Sequence, residues 1–563
     1  MLAAAACTKA DSSQPPASAA SVTPAPVVSA PRAPLPEEAA ARAIEPDLLR
    51  QHIAKLSDDA LQGRGPATPG DTAARAYLVE QLKALGLTPG QGEQWEQPFD
   101  VIGITSQLPA QWIFARGAKR VPLQWYDQYI ASSGVHDARG SISNAEVVFV
   151  GYGIQAPEYG WDDFKGQDLK GKVLLMLNND PDWDPSLFAG TTRLYYGRWS
   201  YKYESAARQG AAGAIVIHTT PSAGYPFGVL QNGASGEQFE LPSSGAPRSK
   251  LEAWVTEDAA RSLATLSGHS LEALVEAAKS KDFKPVPLGV TTSIAFKNRV
   301  VQSRTANVFG VLAGSDPVLR SEVVIYTAHH DHLGVGKPDA SGDAIYNGAL
   351  DNAAGVAQLL AIAKAYRALP VPPKRSVMFL FVGGEEQGLL GSRYFAAHPS
   401  LPAGKIAANL NYDSGNIWGR TRDVTFVGMG KSSLDSIVVA AAARQGRTVK
   451  SDQFPDRGFF YRSDQFSFAQ IGVPAVFLGT GTDFVGRPEG WGTQQIEAYE
   501  EQHYHQPSDE LQADWQLDGM VEDTQLGFRI GLDVANRPEL PSWLPGDEFE
   551  AARKAALAAP SDE

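Results

Sequence analysis

The stretch Val323-Val-Ile-Tyr-Thr-Ala-His329-His-Asp-His332 decides how this chain is read. Its first half is a short apolar run of the kind that fills a strand buried on both faces, and its second half is a cluster of imidazoles around a carboxylate. Two more segments repeat the plan. Ser376-Val-Met-Phe-Leu-Phe-Val382 is an apolar strand running into Gly383-Gly-Glu385-Glu386, and Ile406 to Tyr412 is a strand ending at Asp413. Helical spacing covers Gly355 to Ala368 and Ser433 to Gln445, and further strands are predicted at Val424 to Val427 and Val473 to Leu478. Strand and helix alternate, which predicts an α/β fold with a mainly parallel sheet flanked by helices. Ligands bind such sheets beyond the carboxyl ends of the strands, where these polar clusters lie.

The residue types suit hydrolysis at two zinc ions, which needs imidazoles, a bridging carboxylate, terminal carboxylates and one carboxylate left free as a base. Five of the ten histidines fall in two clusters: His329, His330 and His332, then His503 and His505 in Tyr504-His505-Gln-Pro-Ser-Asp509. In His329-x-Asp331 the carboxylate can accept the imidazole's other N–H and so fix the tautomer that faces a metal. A solvated polar loop is the plain alternative. Adjacent Glu385 and Glu386 point in different directions, so one can bind metal while the other handles a proton. A solvated acidic turn is the alternative there. Asp351, in Gly348-Ala-Leu-Asp351-Asn352, stands at a helix start, where it or Asn352 could be only the N-cap. Asp413 and His505 say little individually.

Together these segments resemble the family of co-catalytic zinc exopeptidases that includes bacterial leucyl-type aminopeptidases and glutamate carboxypeptidase. The matching motifs are Ala328-His-His-Asp-His-Leu-Gly334, Ile345-Tyr-Asn-Gly-Ala-Leu-Asp-Asn352, Gly384-Glu-Glu-Gln-Gly-Leu-Leu-Gly-Ser392, Asn409-Leu-Asn-Tyr-Asp413 and Tyr504-His-Gln-Pro-Ser-Asp509. The resemblance implies a zinc exopeptidase fold and two Zn2+ per chain. His329 and Asp413 would bind one zinc, Glu386 and His505 the other, and Asp351 would bridge them. Glu385 would be the general base, Asp331 the partner of His329, and Tyr504 a residue that steadies the tetrahedral intermediate. His330, His332 and His503 are expected to shape the pocket or face solvent. Leu350 and Ala354 depart from the family pattern without removing a ligand. The implied activity is a metallo-aminopeptidase acting on peptide substrates. A carboxypeptidase of the same fold is the rival, with Arg457 or Arg462 to receive a terminal carboxylate, although Arg462-Ser-Asp464 could equally be a structural salt bridge. A one-zinc glutaminyl cyclase and a receptor-like protein without catalysis are further from the pattern, because the full ligand set is present.

Length and composition frame this reading. At 563 residues the chain exceeds one ordinary core. Hydrophobic residues make up 43% and charged ones 20%, as in globular proteins, and a net charge of -14 argues against nucleic acid as a partner. The chain divides into a start and Pro/Ala-rich linker (1–43), a discontinuous peptidase domain (44–143 and 286–545) and a tail (546–563). Residues 144–285, notably Val147 to Gly153 and Gly160-Trp-Asp-Asp-Phe-Lys-Gly166, resemble the β-rich protease-associated domain inserted in many members of the family. That insert reads as a lid over the substrate, or else as a spacer or a dimer surface. The single cysteine, Cys7, excludes an internal disulfide. Its setting, Leu2-Ala-Ala-Ala-Ala-Cys7, resembles a bacterial lipobox behind a truncated signal segment. With the linker after it, this suggests a lipid-anchored protein of the bacterial cell envelope or periplasm, with secretion or an inert tail cysteine as alternatives.

Overall fold

The computed structural model describes residues 35–559; Cys7 and most of the Pro/Ala linker lie outside them. Strand Val323–His329 is buried at every position and pairs in parallel with Ser376–Val382 on one side and Ile406–Asn411 on the other. The sheet continues in parallel from Ile406–Asn411 to Ala475–Gly479, then antiparallel to Asp423–Val427. On the other side the end of Val286–Leu312 pairs antiparallel with Ser376–Val382. The sheet is therefore mixed with a parallel centre, as the alternation of strand and helix predicts.

Alternate residues of the central strand serve two cores. Val324, Tyr326 and Ala328 pack under helices Pro46–Leu56, Ala354–Arg367 and Asp518–Asn536. Val323 and Ile325 pack with Phe395 and Phe468 of helices Leu390–Ala397 and Gln465–Gln470. A strand covered on both faces favours apolar residues, and the polar Thr327 within it is satisfied by donating to Asn411 Oδ1 at 2.6 Å.

Three boundaries differ from expectation. Ordered structure starts before Ile44: helix Pro36–Ala41 buries Ala40 and Ala41, and Gln525 Nε2 donates to Ala41 O at 3.2 Å. The tail is part of the fold, since helix Glu550–Ala558 buries Arg553, which donates to Ile406 O at 2.9 Å. The inserted unit is larger than 144–285. Trp112, Phe114, Leu123 and Tyr129 share one core with Ile215 and Val255. Strand Val286–Leu312 crosses the boundary, pairing first with Arg139–Phe149, then with Glu96–Gln107, and last with Ser376–Val382 of the central sheet. Within the insert, Val173–Leu177, Gly213–His218 and Leu251–Thr256 run parallel, and Tyr129–Ser133 closes antiparallel against the last of them.

Helix Pro46–Leu56 carries a buried imidazole, His52, whose Nδ1 lies 2.6 Å from the Tyr77 hydroxyl. Burial, helped by Lys364, pushes this group down from 6.5 to about 4. The unfolded chain thus binds the proton more readily, and the stability His52 contributes is full above pH 6.5 and lost as pH falls toward 4. His52→Gln should flatten the fall of the unfolding midpoint between pH 7 and pH 4.5; an unchanged fall would assign that acid sensitivity elsewhere.

Candidate metal centre

Strand register sets the site. His329 lies opposite Val382 and Thr327 opposite Asn411, so three strands end side by side, with Glu385, Glu386 and Asp413 on the turns just past them. Asp351 comes from a turn, Ala349–Ala353, ahead of helix Ala354–Arg367. Asn352 occupies the capping role there: its Oδ1 accepts from Gly355 N at 2.9 Å and Ser414 N at 3.0 Å, and its Nδ2 donates to Tyr412 O at 2.9 Å. Asp351 is left free to face the cluster. Gly348 starts this turn at φ 57, and a Cβ there would come within 2.2 Å of Asp351 O. His505 sits at φ 55, a left-handed conformation that costs a non-glycine residue roughly 1 kcal/mol. Asn232, from the inserted unit, donates to its carbonyl at 2.9 Å.

All the expected site residues converge. His329 Nε2 is 3.1 Å from Asp413 Oδ1 and 3.2 Å from Asp351 Oδ1. His505 Nε2 is 2.9 Å from Glu386 Oε2 and 3.4 Å from Asp351 Oδ2. The two oxygens of Asp351 thus face the two histidines. Potential ligand atoms of His329, Asp351 and Asp413 lie within 4.8 Å of one another, as do those of His329, Glu385 and Glu386 and those of His332, Asp351 and Glu386.

Supporting contacts differ from the sequence reading at Asp331 and choose among its alternatives for the other histidines. His329 Nδ1 bonds the Asp331 carbonyl at 3.2 Å, while the Asp331 carboxylate stands 3.8 Å off and accepts from Glu385 N at 3.1 Å. Asp331 therefore serves both the imidazole and the turn that carries the glutamates. His330 and His332 are buried, not solvated: His330 Nε2 meets Asp71 at 3.1 Å, and His332 Nδ1 meets Glu386 Oε1 at 2.7 Å. His503 stays on the periphery, with Nδ1 3.0 Å from Ser508 Oγ. Two organising residues were missed. Asp509 accepts from Leu350 N at 3.0 Å, Asp351 N at 3.0 Å and the Tyr499 hydroxyl at 3.1 Å, fixing the Asp351 turn. Arg64 is wholly buried and donates to the carbonyls of His330 (2.8 Å), Asn347 (2.6 Å), Gly348 (3.0 Å) and Leu56. Its only sequence signal is a charged residue inside a Gly/Pro loop, which reads as solvated.

Electrostatics favour a cation here. Burial, reinforced by Asp413 and Glu386 and opposed by His329, raises Glu385 well above the usual carboxylate range. Burial also pushes Glu386 upward, but His505 and His332 outweigh it and bring it to about 2. His505 is raised to about 10 because Glu386 and Asp351 overcome its burial. Four carboxylates share this space with imidazoles as their nearest compensation, so positive charge is wanted. His505 Nε2 is buried and has no hydrogen-bond partner among the described residues despite its short distance to Glu386, and it is aimed into the cluster. The donor set of nitrogen and carboxylate oxygen fits zinc.

A cavity of about 690 Å³ opens on Glu385, Glu386, Tyr504 and His505 and is walled by Trp125, Tyr225 and Trp254 of the inserted unit. A second, about 200 Å³, adjoins Asp351 and Asp413 and is lined by Trp418, Val427, Phe454, Phe477 and Ile496. Arg457 is engaged by Glu500 and by Glu497 at 3.8 Å. The expected pair between Arg462 and Asp464 does not form. Arg462 Nη2 donates to the Tyr504 hydroxyl at 3.4 Å, and the buried Asp464 carboxylate has no hydrogen-bond partner.

Residues 307–528 match the model of peptidase family M28. The probable leucine aminopeptidase 2 of Aspergillus oryzae (strain ATCC 42149 / RIB 40) is 29% identical over 218 residues, 37% of this chain and 40% of that protein. The probable lipoprotein aminopeptidase LpqL of Mycobacterium tuberculosis (strain ATCC 25618 / H37Rv) is 28% identical over 258 residues, 41% of this chain and 48% of that one. The chain thus spans less than half the length of these curated relatives. Among solved structures, the aminopeptidase from Aneurinibacillus sp. strain AM-1 superimposes with a TM-score of 0.52 at 19% identity, over 90% of this chain and 97% of that one. At that identity the likeness is one of fold. The mixed sheet flanked by helices is the fold the two share.

Arg64→Met would strand several buried carbonyls, each worth about 1–3 kcal/mol. It should lower the unfolding free energy by about 3 kcal/mol in denaturant titration; a loss below about 1 kcal/mol would show that the Asp351 turn does not depend on this guanidinium.

Proposed function

We propose that the protein is a two-zinc aminopeptidase that removes N-terminal residues from peptides. The observation that carries this reading is the convergence of His329, Asp351, Glu386, Asp413 and His505, with Glu385 beside them, at the carboxyl edge of the sheet. His329 and Asp413 would hold one ion, Glu386 and His505 the other, and Asp351 both. Ions bound there would polarise the scissile carbonyl and acidify a water.

The chain's own groups do the rest. Glu385 lines both cavities and is held by the Asp331 contact to its backbone N–H. Its raised affinity for a proton suits a base that takes one from water and delivers it to the leaving amine. Tyr504, whose ring stacks on His505 at 4.0 Å, offers a hydroxyl to the oxyanion. The smaller cavity is mainly aromatic and aliphatic and would receive an apolar first side chain, while the larger one would take the leaving peptide. The inserted unit, read as a protease-associated domain, walls that larger cavity.

A carboxypeptidase of the same fold is the second reading, favoured by one observation: Arg462 lines both cavities without a carboxylate partner among the described residues. The relatives' names, both aminopeptidases, favour the first reading. The name of LpqL describes that protein as a lipoprotein, and anchorage of this one to the cell envelope through Cys7 is part of the same proposal. No described helix is long and apolar enough to cross a membrane.

Two experiments test the proposal. Glu385→Gln should lower kcat by about a thousandfold or more while zinc still binds; near-normal turnover would remove Glu385 as the base. On zinc-supplemented dipeptides, N-acetylation should abolish cleavage and C-amidation should not. Cleavage that tolerates N-acetylation but needs a free carboxylate would establish the carboxypeptidase instead.

A further inference from the structure

Tyr504 comes from the peptidase domain, but the groups around its hydroxyl come from both units. Arg462 reaches it at 3.4 Å. A guanidinium can only donate, so the Tyr504 oxygen is the acceptor in this pair and its own proton is left to point elsewhere. The Tyr504 ring lies against His505, whose Nε2 faces Asp351 and Glu386, so the free proton belongs to a hydroxyl at the edge of the metal cluster. A cation behind the oxygen also polarises the O–H bond and makes it a stronger donor.

Among the described residues Arg462 forms no ion pair with a carboxylate. Its guanidinium carbon lies 5.2 Å from the ring centroid of Tyr225 and 5.2 Å from that of Phe459. Phe459 is its near neighbour in sequence, but Tyr225 belongs to the inserted unit. The Tyr225 ring is also 6.4 Å from the Tyr504 ring, and its carbonyl accepts from His218 Nε2 at 3.0 Å, fixing the loop that carries it. The unit holds the site elsewhere too: Asn232 donates to His505 O at 2.9 Å and Phe239 N to Gln387 Oε1 at 3.0 Å. An insert serving only as a spacer would not need contacts to both catalytic loops.

We propose that Arg462 is a positioning residue that fixes the Tyr504 hydroxyl for donation into the metal cluster, and that the inserted unit supplies Tyr225 to hold Arg462 there. The proposal rests on the role given to Tyr504 above. It makes the active site a composite of the two units and gives the unpaired arginine a task in either exopeptidase reading.

A double-mutant cycle on the zinc-loaded full chain tests it, read as kcat and KM on whichever dipeptide the enzyme cleaves. Tyr504→Phe should lower kcat by about a hundredfold with KM little changed, as for loss of an oxyanion donor. Arg462→Met should lower kcat by about tenfold or more alone, but cost little further in the Tyr504→Phe background. Arg462→Lys should recover part of the loss. Tyr225→Phe, which keeps the ring, should retain more kcat than Tyr225→Leu, which should lower it, and less so in the Arg462→Met background. Unfolding midpoints identify any variant that fails to fold, in which case the Lys and Tyr225 arms decide. Losses that multiply independently, or a Tyr225→Leu variant with parental kcat, would overturn the proposal. So would an unaffected Tyr504→Phe, which removes the premise. Failure of the aminopeptidase reading is visible separately, as cleavage that ignores the free amine, and leaves the cycle readable.

Discussion

Parallel pairing holds His329 opposite Val382 and Thr327 opposite Asn411, so three buried strands stop on one line and release their chains into turns at the same edge. Everything polar in the site follows from where those turns begin. Apolar side chains on both faces leave the strands no freedom to slip, because a one-residue shift would exchange the two cores. The imidazole of His329 and the carboxylates of Glu385, Glu386 and Asp413 are thus placed by the packing of Val324, Phe379 and Leu410 beneath them. Chemistry at the edge is a consequence of register in the middle.

Residues brought together in this way repel one another unless something compensates. Backbone donors and imidazoles supply part of the compensation: Asp509 braces the Asp351 turn, and His332 and His505 hold Glu386 ionised. Arg64 adds a buried positive charge behind the cluster while satisfying carbonyls on the loops that surround it. The inserted unit contributes at the open side, where Tyr225 and Asn232 reach the loops carrying Arg462 and His505. The long strand Val286–Leu312 runs through both units and joins them.

The central strands and the convergence of the site were legible because each strand is covered on both faces and ends in its own polar cluster. Ser376–Val382 was read with its observed limits for that reason. The supporting residues were not legible. Arg64 and Asp71 sit in a Gly/Pro loop and a helix start that resemble solvated surface, and burial arises only when the loop docks beside His330. The Asp331 carboxylate was assigned to His329 from the His-x-Asp spacing; in space its nearest donor is Glu385 N, on another strand end. The insert boundary was misplaced because Trp112 and Leu123 alternate like ordinary edge strands, and nothing local says which core they enter. Helix Pro36–Ala41 follows a Pro/Ala-rich stretch whose composition alone suggests a tether.

The most direct test is a crystal of the zinc-loaded protein with anomalous scattering recorded on both sides of the zinc edge. The account predicts two peaks per chain, one between His329 and Asp413, the other between Glu386 and His505, with Asp351 touching both. A single peak, or an ion held by His332 in place of His505, would contradict it.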